Sequence, residues 1–243
     1  PLLRQLVATS GKVCYAVFLG CAEYIQTLEL QMAIAALKKQ GFEEDVLLLL
    51  EHPPTITLGR NGSLHNLLVS KDALAARNVA FFEVDRGGDI TFHGPGQLVG
   101  YPLLKLDKGE QDVRCYMRNL EECLIRVLAA YGIDATRERG YTGVWTEDGK
   151  IAAMGVHISR WITRHGFALN VNTDLSFYDL IVPCGIVGRR VASMASILSQ
   201  SLDLKEVAEK FAGEFGLVFG RRVLWLSAAE LHQKLGARGH AAE

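Results

Sequence analysis

The sequence predicts an α+β fold, a mixed β-sheet packed with helices, and three observations lead to it. Asp112 to Tyr131 carries Val113, Tyr116, Met117, Leu120, Cys123, Leu124, Val127 and Leu128 on one helical face and stops at Gly132. Ile151 to Ser159 and Phe167 to Val171 are β-prone runs joined by a polar turn through Arg160 to His165. Strands and helices then follow one another irregularly rather than as repeated βαβ units, which favours α+β over a doubly wound parallel sheet.

The remaining elements are read in chain order. From Cys21 to Lys39, the residues Ala22, Ile25, Leu28, Met32 and Ala36 recur at helical spacing, and Gly41 supplies a stop. Asp45 to His52 and Thr55 to Arg60 read as two strands around Pro53-Pro54, a pair that cannot sit inside a central strand. Ser70 caps a short helix through Arg77. Ala80 to Asp85 and Ile90 to Phe92 read as strands flanking a tight Arg86-Gly87-Gly88-Asp89 turn. Gly143 to Trp145 adds a short strand, and helices over Leu204 to Phe215 and Ala228 to Leu235 close the chain around a strand at Arg222 to Leu226. With no repeat and no Gly/Ser linker, 1–243 is expected to be a single catalytic domain.

Composition narrows the function classes. With 26 Lys and Arg against 27 Asp and Glu, a net charge of −1 gives no bulk attraction to nucleic acid or to an anionic membrane. The apolar run at 46–50 is far shorter than the roughly 20 residues a spanning helix needs, so no membrane association and a cytoplasmic location are expected. The five cysteines are odd in number and lack a CxxC pair, which fits neither a disulfide framework nor a zinc ribbon; no metal and no cofactor are expected.

Three segments carry chemistry. Between Arg86 and Pro102, five glycines and two prolines fix unusual backbone and let a ligand approach, although an elaborate hairpin explains the same residues. In Pro183-Cys184-Gly185, a cysteine stands between a stiff residue and an open one after the apolar Leu180-Ile181-Val182, a setting suited to a nucleophile. Cys123, on an apolar helix face, suits a buried inert role instead. The turn Asp148-Gly149-Lys150 delivers a lysine to the start of the small-residue run Ile151-Ala152-Ala153-Met154-Gly155. It is either an ordinary surface lysine or, facing Cys184, a cation that favours the thiolate.

Together these segments resemble the octanoyl-(acyl carrier protein):protein N-octanoyltransferases, the lipoate-protein ligase B family. The likeness rests on His52-Pro53-Pro54 with Thr57-Leu58-Gly59-Arg60, the whole Arg86 to Pro102 segment, Gly149 to Ala153, His165 to Asn170, and Ile181 to Ile186, in the family's order. Phe92 stands where the family usually has Tyr, and His157 where Arg is frequent. The resemblance implies the α+β catalytic domain shared by lipoate and biotin protein ligases, with an acyltransferase core over about 30–218. It implies Cys184 as nucleophile and Lys150 as the residue that lowers its pKa. It further implies an acyl-binding surface of Arg86, Gly87, Gly88, Asp89, Ile90, Thr91, Phe92 and His93, with Ala153, Met154, Gly155, Gly166, Phe167 and Ala168.

The implied donor is octanoyl-acyl carrier protein. The implied acceptors are lysines in lipoyl domains of 2-oxoacid dehydrogenases and in the glycine cleavage H protein. A monomer is expected. Three rival readings stay open: an ATP-dependent ligase of the same fold, a silent domain that binds carrier or lipoyl proteins, and a Cys-His hydrolase pairing Cys184 with His93 or His165.

Overall fold

The structure, a computed structural model, describes residues 11–183 and 190–239; Cys184 lies outside the described residues. The chain opens with strand β1 (Lys12–Cys21), helix α1 (Tyr24–Lys39) and strand β2 (Asp45–Glu51). Strands β1 and β2 pair in parallel, so they need a crossover, which α1 supplies. This βαβ start departs from the expectation, which contained neither β1 nor a βαβ unit. In β2, Val46, Leu48 and Leu50 face one layer while Leu47 and Leu49 face the other. An unbroken apolar run is what a strand buried on both faces requires.

Pro53-Pro54 then takes the chain out of that sheet. Strands β3 (Thr55–Leu58), β4 (Ala80–Glu83) and β5 (Ile90–His93) form a separate small sheet in the order β4-β3-β5. The two strands around Pro53-Pro54 therefore stand in different sheets, and the expected hairpin across Arg86 to Asp89 is absent. Strand β3 lies between the other two, parallel to β4 and antiparallel to β5. The reason is where the loop's polar backbone goes. Gly59, Arg60 and Asn61 donate their N–H groups to Asp89, Arg86 and Gly88, so the 86–89 loop closes on the end of β3 rather than on itself. A short helix, α2 (Lys71–Ala75), is capped by the Ser70 hydroxyl, which accepts from the Ala73 N–H.

Strand β6 (Gln97–Leu103) returns to the large sheet beside β2. Helix α3 (Val113–Ala130) starts at Asp112, whose side chain accepts from Cys115 N–H, and buries Tyr116, Leu120, Cys123, Leu124, Val127 and Leu128. After β7 (Val144–Thr146), strands β8 (Gly149–Ser159) and β9 (Ile162–Asn170) form a hairpin. Its turn has only two residues, Arg160 and Trp161, at φ +51° and +61°. Such a turn matches strand twist. Strand β9 thus begins at Ile162 and takes in Thr163 and His165, which the sequence places in the turn.

Helix α4 (Met194–Leu198), helix α5 (Leu204–Phe219), strand β10 (Arg221–Trp225) and helix α6 (Ala228–Gly239) complete the described chain. Among the described residues the large sheet has seven strands in the order β10-β1-β2-β6-β9-β8-β7. Helices α3 and α5 fill one face through Phe211, Phe215, Leu120 and Leu124; Ile34 of α1 and Leu231 of α6 pack on the other. On that second face, where the small sheet approaches β6, β9 and β8, the chain leaves a slot.

Candidate functional site

The slot encloses about 460 Å³ between protein atoms and is partly open to solvent. One wall comes from the β5 side: Arg86, Gly88, Asp89, Ile90, Thr91 and His93. The facing wall is Ala153, Met154 and Gly155 of β8 with Gly166, Phe167 and Ala168 of β9. Two of the sequence-derived positions stand outside it. Gly87 donates its N–H to Val156 O at 2.9 Å, tying the loop to β8. Phe92 turns away and stacks on Phe177 with ring centroids 4.7 Å apart, inside the cluster under the small sheet.

The small residues divide into two kinds. A Cβ on Gly155 would lie 2.6 Å from Gly87 O, and one on Gly166 would lie 2.0 Å from Gly100 O. These glycines let backbone pass against backbone. Ala153 and Ala168, paired across β8 and β9, instead present short side chains. Their strand neighbours Met154 and Phe167 belong to the opposite layer, where the Phe167 ring packs on Phe211 at 4.2 Å, so they border the slot through their backbone.

Buried polar groups hold the β5 wall. Arg86 is nearly buried, and its guanidinium donates to Thr57 O at 2.8 Å, to Thr57 Oγ1 at 2.9 Å and to Gly87 O at 3.1 Å. A planar fork spans these acceptors, and an ammonium would not. His93 is fixed by Gln97. The Gln97 amide donates to Phe92 O at 3.0 Å and to Asn170 Oδ1 at 3.0 Å, so its oxygen is the acceptor for His93 Nδ1–H at 2.9 Å. Burial pushes the His93 pKa well below its usual value, with His52 and Arg86 adding to the effect. His93 is therefore neutral, with Nε2 as the acceptor nitrogen.

Behind it, His52 donates from Nδ1 to Ala22 O at 2.6 Å and accepts the Tyr101 hydroxyl on Nε2 at 2.8 Å. Burial lowers the His52 pKa to about 4 against the opposing backbone hydrogen bond.

A smaller cavity adjoins the slot and shares Thr91 and Ala153 with it. Its lining includes Lys150, Asn170, Tyr178 and Pro183, the residue immediately before Cys184. Lys150 is buried within β8 rather than displayed on a turn, and its Nζ sits 5.5 Å from the Trp145 ring centroid. Its backbone N–H donates to Arg190 O at 2.9 Å, and its carbonyl accepts from Ala192 N–H at 3.0 Å. The strand therefore holds Lys150 beside residues 190–192. Asn170 donates to Ala192 O at 3.0 Å and accepts from Tyr178 Oη at 3.2 Å, bracing the same region. Among the described residues, no group of three or more His, Cys, Asp or Glu side chains is placed to hold a metal ion.

The lipoyl protein ligase A/B catalytic domain matches this chain over residues 23–216. Octanoyltransferase is the name carried by relatives from Solibacter usitatus, 53% identical over 85% of this chain and 93% of theirs, and from Koribacter versatilis, 50% identical over 86% of each. This chain belongs to the octanoyltransferase family.

Solved structures share this fold at low identity. A bipartite lipoate protein ligase from Thermoplasma acidophilum superposes with a TM-score of 0.72 at 16% identity, over 93% of this chain and 91% of its own. Lipoate-protein ligase A bound with ATP gives a TM-score of 0.72 at 15% identity, over 94% and 93% of the two chains. These likenesses bear out the α+β class.

The slot also contains Tyr24 and Tyr101, which sequence patterning does not single out, and His165, which it raises only as the partner of Cys184 in the hydrolase reading; Gln97 and Asn170 orient its walls. Gln97, Tyr101, His165 and Asn170 lie inside the segments that carried the resemblance, so their presence there was the available signal. Tyr24 had none, being one residue in the first turn of a helix.

Proposed function

We propose that the chain moves an octanoyl group from octanoyl-acyl carrier protein to the ε-amino group of a lysine in a lipoyl domain, by way of a thioester on Cys184. One observation carries the reading. The apolar slot walled by Ala153 and Ala168 shares its Thr91 and Ala153 lining with the cavity that Lys150 and Pro183 line. An alkyl chain lying in the slot directs its thioester carbonyl to that cavity, where each buried methylene contributes up to about 0.8 kcal/mol.

In the first half-reaction, the Cys184 thiolate adds to the thioester carbonyl. The tetrahedral adduct expels the carrier thiolate, which takes a proton from the Lys150 ammonium. In the second, the neutral acceptor amine adds to the enzyme thioester. Its proton passes to Lys150 and the Cys184 thiolate leaves, so the resting ion pair is restored and no other reactant is consumed. Each adduct carries an oxyanion that needs donors. The Lys150 N–H is already committed to Arg190 O, so it is not one of them.

Intact mass after mixing with octanoyl-carrier protein tests the reading. A single octanoyl adduct on Cys184, discharged by an added lipoyl domain, is expected. Transfer that requires ATP and free octanoate and passes through no adduct would replace it with ligase chemistry.

A further inference from the structure

Thr91 and Ala153 line both the slot and the Lys150 cavity. An acyl chain that lies in the slot and brings its carbonyl to Lys150 passes between these two residues. The carbonyl carbon therefore belongs at this junction, where Ala153 offers a methyl group and Thr91 a hydroxyl.

The small sheet decides which hydroxyl is free there. Thr57 of β3 stands directly opposite Thr91 of β5, so the two side chains share one face. Thr57 is fully buried, and its Oγ1 accepts from Arg86 at 2.9 Å. Thr91 is 8% exposed. Among the described residues its hydroxyl makes no hydrogen bond, yet it retains surface open to the space around it. A hydroxyl carries one donor hydrogen, and that of Thr91 is left to the cavity.

Other donors around the Lys150 cavity are taken. The Asn170 amide donates to Ala192 O at 3.0 Å, and the Tyr178 hydroxyl to Asn170 Oδ1 at 3.2 Å. The Lys150 N–H is bound to Arg190 O, and the Lys150 ammonium is the proton carrier in the scheme above.

Attack on the thioester forms a new C–S bond and moves the carbonyl π electrons onto oxygen. Those electrons return as the bond to the carrier sulfur breaks. A hydroxyl at the junction donates to that oxygen throughout and keeps its own proton. Its hydrogen bond is stronger to the oxyanion than to the neutral carbonyl, and that difference lowers the barrier.

We propose that Thr91 is a catalytic residue whose hydroxyl donates to the oxyanion of both tetrahedral adducts. This rests on the acyl-transfer reading above and names a group that the reaction requires.

Two substitutions separate hydrogen bonding from shape. Thr91→Val keeps the branched side chain, which suits a strand, and removes the donor; Thr91→Ser keeps the donor and removes a methyl group. Adduct formation from octanoyl-carrier protein, without acceptor, is followed by intact mass in single turnovers over a range of donor concentrations. Thr91→Val is expected to lower the maximal rate about 100-fold, the scale of one lost oxyanion donor. Its half-saturating donor concentration should stay within about threefold of wild type, since only the transition state loses a contact. Thr91→Ser should remain within about tenfold of the wild-type rate.

A packing role reverses that order, with Val close to wild type and Ser impaired. Adduct formation by Thr91→Val at the wild-type rate, or an equal loss in Val and Ser, would overturn the assignment of Thr91 alone. Wild-type protein that forms no octanoyl adduct would instead overturn the acyl-transfer reading, and the oxyanion donor with it.

Discussion

Gly166 and Gly100 meet backbone to backbone: a Cβ on Gly166 would lie 2.0 Å from the Gly100 carbonyl oxygen, closer than any relaxation of a side chain could relieve. Gly166 therefore serves the pairing of β9 with β6 inside the sheet, and does not gauge the chain. Gly166→Ala is expected to destabilise the whole protein by about 1–3 kcal/mol through overpacking. Thermal unfolding should register the loss, and transfer of hexanoyl and octanoyl should fall together.

Ala168 should behave differently. It is buried in the slot opposite Ala153, and its side chain, not its backbone, occupies the space. Ala168→Leu is expected to shorten the accepted chain, at roughly 0.8 kcal/mol for each methylene excluded. Competition between hexanoyl and octanoyl donors measures the ratio of specificity constants, which separates gauging of the chain from damage to the fold. An unchanged ratio would mean that Ala168 does not measure length.

Arg86→Lys is not a conservative change here. The guanidinium bridges Thr57 O, Thr57 Oγ1 and Gly87 O, and a lysine reaches them only as a point charge. The loop forming one wall should loosen, with KM for the donor rising about tenfold and melting temperature little changed. An unaltered KM would show that the loop is held by its backbone hydrogen bonds to residues 59–61 and to Val156.

Much of this architecture is legible in the sequence, and the exceptions share a cause. Helix α3 announces itself because its apolar face, cap and stop are all local. The small sheet does not, because β3 pairs with strands more than twenty residues away, and proximity along the chain makes β4 and β5 look like a hairpin. Strand β1 has no polar alternation, being buried between β2 and β10. In the site, the glycine- and alanine-rich segments are visible as composition. The roles of Gln97, Asn170 and Tyr178 exist only as a folded hydrogen-bond network.

Acid should weaken the fold through His52. The ring is fully buried, with a pKa of about 4 against an ordinary 6.5. Above pH 6.5 it is neutral both folded and unfolded, so it adds no pH dependence. As pH falls from 6.5 to 4, the unfolded chain binds a proton that the folded one resists, and stability drops by on the order of 3 kcal/mol. Below about 4 both states are protonated and the loss levels off. Denaturant melts across this range should show the decline, and His52→Gln should make it shallower, leaving the shares of His93 and His165, whose pKa values burial also lowers.

The last prediction concerns Lys150 and Cys184. Lys150 lies in the cavity that Pro183 also lines, one residue before the proposed nucleophile. If its charge favours the thiolate, Lys150→Ala should raise the Cys184 pKa and displace its alkylation profile to higher pH. Other thiols need not obscure the measurement. Burial pushes Cys14 and Cys123 up and shields them, while the exposed Cys21 and Cys115 are removed as Cys21→Ser and Cys115→Ser. Lys150→Arg separates charge from proton transfer, since a guanidinium stays charged and cannot accept the proton of the attacking amine. It should keep the alkylation profile near wild type while transfer falls about 100-fold or more, the scale of a lost general acid-base group. An alkylation profile unchanged in Lys150→Ala would remove Lys150 as activator. Normal transfer by Lys150→Arg would leave it charge but no part in moving protons.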